Sequence, residues 1–204
     1  MIAIVDYGVG NLFSVRSSLK KIGAETVVTA DPKVLDNASK ILLPGVGAFE
    51  DAIKKLSQNG LDEVLKAQVK KGKYLMGICL GMQMLFDESH EYGVHKGLGL
   101  LRGKVVPIKG FVDDKLKIPQ IGWNGLHFRK KHFLFDKVNE GDCAYFVHSY
   151  FATDCEDSVI ATTEYGKELT AAVGKDNVLG CQFHPEKSGE VGLNILRAFW
   201  NKKD

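Results

Sequence analysis

The sequence Tyr74-Leu-Met-Gly-Ile-Cys79-Leu-Gly-Met-Gln83-Met-Leu-Phe86 decides the fold of this chain. It begins as an apolar run of strand length and continues after Cys79 with apolar residues at helical spacing. Gly77 and Gly81 flank the cysteine, and glycine permits the tight turn that joins a strand to a helix. Such a turn exposes the central side chain and directs the next backbone N–H to the same point. The stretch therefore predicts that Cys79 is a nucleophile.

A structural role for Cys79 is the alternative that this stretch leaves open. Free cysteine is among the most buried residue types in proteins. A reactive cysteine needs its thiolate, and the partial positive charge at the start of the predicted helix favours that form. The motif Gly-x-Cys-x-Gly does not decide between the two roles, so the choice depends on residues elsewhere in the chain.

Length and charge limit the class of protein. The 204 residues suffice for one α/β domain, and because no linker is visible we expect a single domain over residues 1–204. Lys and Arg total 27 against 25 Asp and Glu, which leaves no basic field for nucleic acid. The N-terminal run 1–6 is typical of a strand, not of a signal peptide or membrane span. Four scattered cysteines then predict a reduced, cytoplasmic protein.

The first half of the chain alternates predicted strands and helices. Strands are expected at 2–5, 26–29, 41–43 and 74–78, and helices at 12–22, 49–56 and 61–69, with a brief helix begun by Asp31-Pro32. Strands that are apolar throughout are typical of a parallel sheet covered on both faces. The first half therefore predicts a doubly wound α/β fold.

The second half adds strands of a different kind. They are expected at 104–108, 118–124, 144–148, 159–162, 170–173 and 178–183, and the last two flank a hairpin turn at Gly174-Lys-Asp-Asn177. A final amphipathic helix follows, with Ser188 as its expected cap. Together the two halves predict a doubly wound, mixed and mostly parallel sheet with added antiparallel strands.

The motif His184-Pro-Glu186 supplies partners for the cysteine. Residues two apart on an extended backbone point the same way, so we expect His184 and Glu186 to lie along one face. The histidine can take the proton of Cys79 while the carboxylate orients the imidazole, as in a catalytic triad. An α/β-hydrolase places its acid before its histidine in the chain, whereas here the acid follows, which disfavours an esterase.

Metal binding is a second interpretation of these residues. Cys181 and His184 have the spacing of half a zinc site, and Cys143 and His148 could supply the remaining ligands. The gaps between them are not those of a paired-ligand motif, so we expect no metal.

The motifs resemble those of the triad-type (class I) glutamine amidotransferases over essentially the whole chain. Gly77-Ile-Cys79-Leu-Gly-Met-Gln83 and His184-Pro-Glu186 carry that resemblance. The branch that serves imidazole glycerol phosphate synthase in histidine biosynthesis is the most similar. Its motifs are matched by Asp6-Tyr-Gly-Val-Gly-Asn11-Leu, Pro44-Gly-Val-Gly-Ala-Phe49, Pro119-Gln-Ile-Gly-Trp-Asn124 and Phe146-Val-His-Ser-Tyr150.

The resemblance implies a role for each site residue. Cys79 would form a γ-glutamyl thioester from L-glutamine, with His184 and Glu186 completing the triad, and no cofactor would be needed. The oxyanion hole would combine the Leu80 N–H with the loop Gly45-Val46-Gly47, which the family completes when its partner is engaged. The residues that bind the substrate would be Gln83, His148, Ser149 and Tyr150.

The resemblance also implies a partner. Ammonia would pass to a (β/α)₈ cyclase subunit in a heterodimer, which converts phosphoribulosyl-formimino-AICAR phosphate to imidazole glycerol phosphate and AICAR. The candidate docking residues are Asn11, Gln120, Trp123 and Lys187, and core packing is the alternative role for Trp123. Two alternatives stay open: a paralogous synthase, for example one that amidates a surface sugar, or a glutaminase-like binding module without turnover.

Overall fold

A computed structural model describes residues 1–58 and 60–203 of the chain. The strands are β1 Ile2–Val5, β2 Thr26–Thr29, β3 Lys40–Leu43, β4 Tyr74–Ile78, β5 Phe86–Ser89, β6 His95–Lys96, β7 Leu101–Pro107, β8 Gln120–Gly125, β9 His127–Phe128, β10 Cys143–His148, β11 Tyr150–Thr153, β12 Val159–Glu164, β13 Glu168–Lys175 and β14 Val178–Cys181. The helices are α1 Leu12–Lys21, α2 Pro32–Asn37, α3 Phe49–Gln58, α4 Leu61–Lys70, α5 Leu80–Gln83 and α6 Gly189–Asn201. Short 3₁₀ turns occupy Phe133–Phe135 and Pro185–Lys187.

The main sheet has the strand order β2-β1-β3-β4-β14-β13-β12-β9. Neighbours from β2 to β14 are parallel, and the remaining pairs are antiparallel. This arrangement confirms the predicted α/β class and the mostly parallel sheet with added antiparallel strands.

The apolar strands of this sheet bury both of their faces. In β1, Ile2 and Ile4 belong to one core cluster, which also contains residues of α1 and α6. Ala3 and Val5 belong to the other cluster, which contains residues of α3 and α4. Alternate side chains of a strand point to opposite faces, so helices cover the sheet on both sides. Among the described residues, no helix has the length and apolar character needed to cross a membrane.

The structure also contains two smaller sheets. The sequence predicts their strands as part of the main sheet. β10 pairs with β8, and the second sheet has the order β11-β7-β5-β6. Sequence spacing predicts local strands, but the choice of partner strand depends on long-range packing.

The helix after Cys79 is shorter than predicted, because it ends at Gln83 and Phe86 starts a strand. The carbonyl of Met84 accepts the N–H of Leu98 at 2.8 Å, and the carbonyl of Leu85 accepts that of Leu101 at 2.9 Å. A following segment of the chain thus takes the backbone acceptors that a longer helix would use.

The final hairpin also differs in detail from the prediction. Lys175 pairs with Val178, so the turn contains only Asp176 and Asn177. Asp176 has a φ of 52°, a left-handed conformation that aspartate tolerates better than most residues. The hairpin itself is confirmed, but β14 ends at Cys181 and not at residue 183.

Three loops meet at one edge of the main sheet. β3, β4 and β14 are parallel neighbours, so their carboxyl ends lie side by side. The loop after Leu43, the elbow at Cys79 and the segment that leads to His184 follow these ends. Such an edge is where open α/β sheets place their sites.

Candidate active site

Cys79 lies in a strained turn between β4 and α5. Its backbone has φ 54° and ψ −112°, a conformation that is rare for any residue with a side chain. A Cβ added to Gly81 would lie 1.9 Å from the carbonyl oxygen of Leu43, and one added to Gly77 would lie 2.5 Å from that of Gly81. The two flanking glycines are therefore required by close backbone contacts, and the turn presents Cys79 at the sheet edge.

His184 joins the cysteine to a carboxylate. Its Nδ1 lies 2.8 Å from Oε1 of Glu186, and both side chains are almost fully buried. Burial by itself lowers the pKa of His184, but hydrogen bonds with Cys79 and Glu186 outweigh it and raise the pKa to about 9. The imidazole is therefore protonated at neutral pH, as a thiolate–imidazolium pair requires.

The backbone that brings His184 to Glu186 is not the extended one that the sequence predicts. His184 is extended, but Pro185–Lys187 forms a 3₁₀ turn. The turn brings the carboxylate back to the histidine ring because its backbone coils where a strand would run straight. The contact was predicted correctly for the wrong geometric reason.

Ser188 holds this turn in place and does not cap the last helix with its side chain. Its Oγ–H donates to the carbonyl of His184 at 2.6 Å, and the N–H of Tyr145 donates to the same Oγ at 2.9 Å. The N–H of His184 donates to the carbonyl of Tyr145 at 2.9 Å. Ser188 is therefore the N-cap residue of α6, as predicted, but its side chain links β10 to the His184 turn and makes no cap bond to the helix.

The loop Gly45-Val46-Gly47 packs directly against the elbow. A Cβ on Gly45 would lie 2.7 Å from the backbone nitrogen of Gly81, so the two backbones are in contact. Gly47 has a φ of 92°, which only glycine adopts readily. Val46 and Gly47 line the same cavity as Cys79 and Leu80. The structure thus brings together the four residues that the resemblance assigns to an oxyanion hole.

Tyr7 supports this loop and was not singled out from the sequence. Its hydroxyl donates to the carbonyl of Pro44 at 2.8 Å. Burial and the nearby Cys79 hold the pKa of Tyr7 well above its ordinary value, so the hydroxyl keeps its proton. The sequence feature that could have indicated this role is the position of Tyr7 in the motif Asp6-Tyr-Gly-Val-Gly-Asn11.

A cavity of about 440 Å³ opens above the triad. It contains the predicted substrate residues Gln83, His148, Ser149 and Tyr150. It also contains Val46, Gly47, Cys79, Leu80, Glu91, Tyr92, Pro119, Val147, His184 and Lys187. The cavity therefore combines the Cys79 thiol with several polar groups, as a site for a small polar substrate requires.

Glu91 is a cavity residue that sequence reasoning missed. Its Oε2 accepts the N–H of Phe49 at 2.6 Å, at the start of α3. This bond fixes the carboxylate at the cavity wall, where it presents a negative charge. Nothing in the local sequence around Glu91 distinguishes it from a surface carboxylate, because Phe49 lies 42 positions earlier in the chain.

Gln83 and His148 both hold the backbone of Tyr150. Nε2 of Gln83 donates to the Tyr150 carbonyl at 3.1 Å, and Nδ1 of His148 lies 2.8 Å from the same oxygen. Nε2 of His148 lies 3.0 Å from the side-chain amide of Gln120. Burial lowers the pKa of His148 to about 4, so its ring is neutral at neutral pH. Both residues therefore shape the cavity wall through their hydrogen bonds.

Two of the predicted docking residues are exposed at the rim. Trp123 is 55% exposed and meets the ring of Tyr145 edge-on, with centroids 5.9 Å apart. Lys187 lines the cavity and lies over the ring of Tyr145, with Nζ 5.9 Å from its centroid. Ile121, two residues before Trp123, is 61% exposed. A core role for Trp123, which its sequence also permits, does not fit this exposure.

The other two predicted docking residues have structural roles. Oδ1 of Asn11 accepts the N–H of Ser14 at 3.3 Å, which caps the start of α1. Gln120 is fully buried, with its side chain bonded to His148 and Asn124. Its prediction as a direct docking contact is therefore corrected, because its amide has no access to the surface.

The zinc interpretation is not supported by burial. Cys181 is fully buried and burial raises its pKa, whereas Cys143 is exposed. In residues 1–58 and 60–203, no three His, Cys, Asp or Glu side chains converge as ligands of one ion. The four residues of that interpretation therefore do not form a common site.

Known proteins are similar to this chain over almost its full length. The family description "Glutamine amidotransferase class-I" matches residues 3–202. "Imidazole glycerol phosphate synthase subunit HisH" of Geobacillus sp. (strain WCH70) is 50% identical over 202 residues, which cover 98% of this chain and 95% of that protein. The protein of the same name from Geobacter sulfurreducens is 47% identical over 206 residues, 99% of each chain.

Solved structures share the fold at lower identity. A structure described as glutamine amidotransferase aligns with a TM-score of 0.75 at 20% identity, covering 97% of this chain and 98% of the other. A chain in the structure of PurLQS from Thermotoga maritima aligns with a TM-score of 0.74 at 22% identity, covering 98% of this chain and 97% of the other. At this level of identity the likeness concerns the fold alone.

Proposed function

This chain belongs to the class-I glutamine amidotransferase family, and from that premise we propose that it is the glutaminase subunit of an imidazole glycerol phosphate synthase in histidine biosynthesis. The observation that carries the proposal is the buried contact of His184 with Glu186 beside Cys79, within a cavity sized for a small polar substrate. The HisH relatives, about half identical over nearly the full chain, support the assignment to this synthase.

The triad performs acyl transfer in two halves. The Cys79 thiolate attacks the side-chain amide carbon of L-glutamine, and the C–N bond of the tetrahedral intermediate then breaks. The His184 imidazolium gives its proton to the departing nitrogen, so ammonia leaves and a γ-glutamyl thioester remains. Water, deprotonated by the neutral imidazole, attacks the thioester, and glutamate and the thiolate are released. The sum is glutamine plus water giving glutamate plus ammonia.

The oxyanion of each tetrahedral intermediate needs two donors. We assign one to the N–H of Leu80, which follows the nucleophile at the elbow, and one to an N–H of the loop Gly45-Val46-Gly47. Each donor of this kind is typically worth ~3–4 kcal/mol of the barrier. The glycine on either side of Val46 leaves its peptides free to rotate, so this loop is the part that a partner could switch.

The α-groups of glutamine are bound by polar residues of the cavity wall. Glu91 is the lining carboxylate, and its fixed negative charge complements the α-ammonium group. Ser149 can donate to the α-carboxylate, whereas Gln83 offers only its carbonyl oxygen, as an acceptor for the α-ammonium group, because Tyr150 and Gln182 take both hydrogens of its NH₂ group. By holding the α-groups, the charge of Glu91 and the hydroxyl of Ser149 would position the side-chain amide against Cys79, which favours glutamine over shorter amides.

The ammonia needs an acceptor beside the site. In water at neutral pH it would be protonated and would lose its nucleophilicity. We propose that it passes to a (β/α)₈ cyclase subunit that docks at the rim formed by Trp123, Tyr145 and Lys187, in a cytoplasmic heterodimer. Residues 1–204 act as one glutaminase domain in this proposal, with no cofactor and no contact with nucleic acid or membrane.

Cys79→Ala tests the chemical part of the proposal, with Cys143→Ala as its matched control. Cys143 is an exposed thiol. We expect Cys79→Ala to lower glutamine turnover by at least about 10³-fold without loss of folding, because the covalent step disappears. Cys143→Ala should keep wild-type turnover. Unchanged turnover in Cys79→Ala would reject Cys79 as the nucleophile. A second measurement treats the folded wild-type chain with a thiol-trapping glutamine analogue, and failure to label Cys79 would favour a binding module without turnover.

Growth rescue tests the assignment to a pathway. The wild-type gene, but not the Cys79→Ala gene, should restore growth without histidine to a host that lacks this glutaminase subunit. A paralogous synthase is the second candidate, since the triad is common to the family. Failure of rescue by a soluble and active chain would favour that candidate.

A further inference from the structure

Gln182 is a buried amide beside the nucleophile. It follows directly after β14, and no part of its side chain is exposed. Its backbone N–H donates to the carbonyl of Ala171 at 2.8 Å, which fixes its position. Its side-chain Nε2 lies 3.7 Å from Sγ of Cys79, within reach of a hydrogen bond to sulfur. The reacting atom therefore has a polar neighbour outside the triad.

The orientation of this amide follows from the groups at its other end. The Tyr150 carbonyl can only accept, so the Gln83 side chain must turn its NH₂ group toward it, at 3.1 Å. The second hydrogen of the same NH₂ group points to Gln182 at 3.0 Å, where only the Gln182 carbonyl oxygen can accept it. Gln182 therefore presents its own NH₂ group, a donor, to Cys79.

A donor at this position acts on the charged form of sulfur. A thiolate accepts an N–H bond far more strongly than a thiol does, because the acceptor is ionised. The bond is made before attack and made again when sulfur leaves the second tetrahedral intermediate. The other polar neighbours of the sulfur among the described residues are His184, the protonated hydroxyl of Tyr7 and the Val147 carbonyl, whose oxygen lies 4.0 Å from Sγ. The carbonyl can accept a hydrogen bond only from the thiol form, so it does not replace the donor that Gln182 supplies to the thiolate.

We propose that Gln182 is a further residue of the reaction, which donates its side-chain N–H to the Cys79 thiolate and is locked in that orientation by Gln83 and the Tyr150 carbonyl. The inference rests on the proposed nucleophilic role of Cys79. It also gives Gln83 a second task, because the residue that lines the substrate cavity sets the direction of the amide behind the nucleophile.

The test measures how fast iodoacetamide alkylates Cys79 as a function of pH. The full chain carries Cys143→Ala, which removes the exposed thiol. Gln182→Met keeps the size of the side chain and removes the donor, and Gln182→Glu turns an acceptor toward the sulfur. Gln68→Met is the control, because Gln68 is also a buried amide but pairs with Asp36. Glutamine turnover is measured in parallel, with the cyclase subunit present.

We expect the midpoint of the alkylation profile to rise by about one pH unit in Gln182→Met and by more in Gln182→Glu. A rise of one unit means about tenfold less thiolate at any pH below the midpoint. At pH 7 the kcat for glutamine should fall about tenfold and recover as pH rises, with a smaller change in KM. Gln68→Met should keep the wild-type midpoint. A merely structural amide would lower stability without moving the midpoint.

The inference and the proposed function fail in different ways. If alkylation of Cys79 abolishes turnover but both Gln182 variants keep the wild-type midpoint, the role of Gln182 is rejected and the triad stands. If Gln182→Met does not fold, the midpoint of Gln182→Glu decides by the same criterion. If alkylation of Cys79 in the wild-type chain leaves turnover intact, the proposed function is rejected, and the role of Gln182 with it.

Discussion

Nδ1 of His184 lies 2.8 Å from Oε1 of Glu186, and the two side chains are buried together. Cys79 adds a second hydrogen bond to the same ring, so the imidazole has a partner on each side. These partners keep a proton on a ring whose burial alone would expel it. The protonation of the His184 ring therefore depends on the balance between its burial and its two hydrogen bonds.

Glu186→Gln should disturb the balance without changing the size of the side chain. The neutral amide stabilises the imidazolium less well, so the pKa of His184 should fall from about 9, and kcat should fall by about 10²–10⁴-fold. An NMR titration of the ring and steady-state kinetics measure the two effects. Glu190→Gln is the control, since Glu190 is an exposed carboxylate that pairs with Arg197. A kcat within threefold of wild type would contradict the role of Glu186.

Gly81→Ala should disrupt the elbow. Its Cβ would lie 1.9 Å from the Leu43 carbonyl oxygen, and backbone must move to relieve that contact. We expect a loss of about 3 kcal/mol or more in the free energy of unfolding, as for a severe overpacking change. Gly72→Ala is the matched control, because Gly72 has a φ of 91° but open space around it. It should cost only about 1–2 kcal/mol from backbone strain. Equal losses in urea denaturation would show that the elbow contact is not the cause.

His148 should make the folded state less stable in acid. Its pKa is about 4 in the folded chain against 6.5 for an ordinary histidine, so between these values only the unfolded chain binds the proton. Stability therefore falls as pH drops from 6.5 toward 4, by up to about 3 kcal/mol from this group. Burial is the main cause, and the nearby His184 adds to it.

His148→Gln should remove that part of the pH dependence. His127→Gln is the control, because the ring of His127 is exposed. Denaturant unfolding at several pH values measures the slope for each variant. If His148→Gln and the wild type have the same slope from pH 6.5 to 4, the ring titrates as an ordinary histidine.

Trp123→Ala should weaken binding of the cyclase subunit more than it weakens folding. Its ring is about half exposed and contacts Tyr145 at the rim of the cavity, where aromatic residues commonly anchor interfaces. We expect a Kd at least about tenfold higher, with a change in Tm of only a few degrees. Trp200→Ala is the control, since Trp200 packs against the main core and should lower Tm without a matching change in Kd. The reverse pattern would assign Trp123 to the core.

Much of the fold could be predicted because its signals are local. The alternation of apolar strands with amphipathic helices predicted the parallel half of the sheet, and the prolines, glycines and turn residues marked most of the element ends. The partition of the later strands into three sheets could not be predicted, nor the early end of the helix after Cys79. Both depend on backbone acceptors that distant segments of the chain occupy.

The same division holds for the site. Cys79, His184 and Glu186 could be proposed as site residues from motifs because each belongs to a short pattern with its own chemical logic. Glu91 and Gln182 could not, because their partners lie tens of residues away, and Tyr7 stands in a recognised motif that does not show its contact with Pro44. Gln182 contacts Cys79 across 103 positions of sequence, and no spacing rule reaches that far.

By itself, the sequence determined the class of fold, and it pointed to the candidate nucleophile and its proposed acid–base partners. Glycine on both sides of Cys79 permits the tight turn, and proline between His184 and Glu186 fixes its own φ; both effects are local and do not depend on the rest of the chain. Only the tertiary structure decided that Gln120 is buried, that His148 is a neutral support and that an amide N–H faces the sulfur. Burial and the direction of hydrogen bonds are properties of groups brought together by folding, so they exist only once the chain has closed around them.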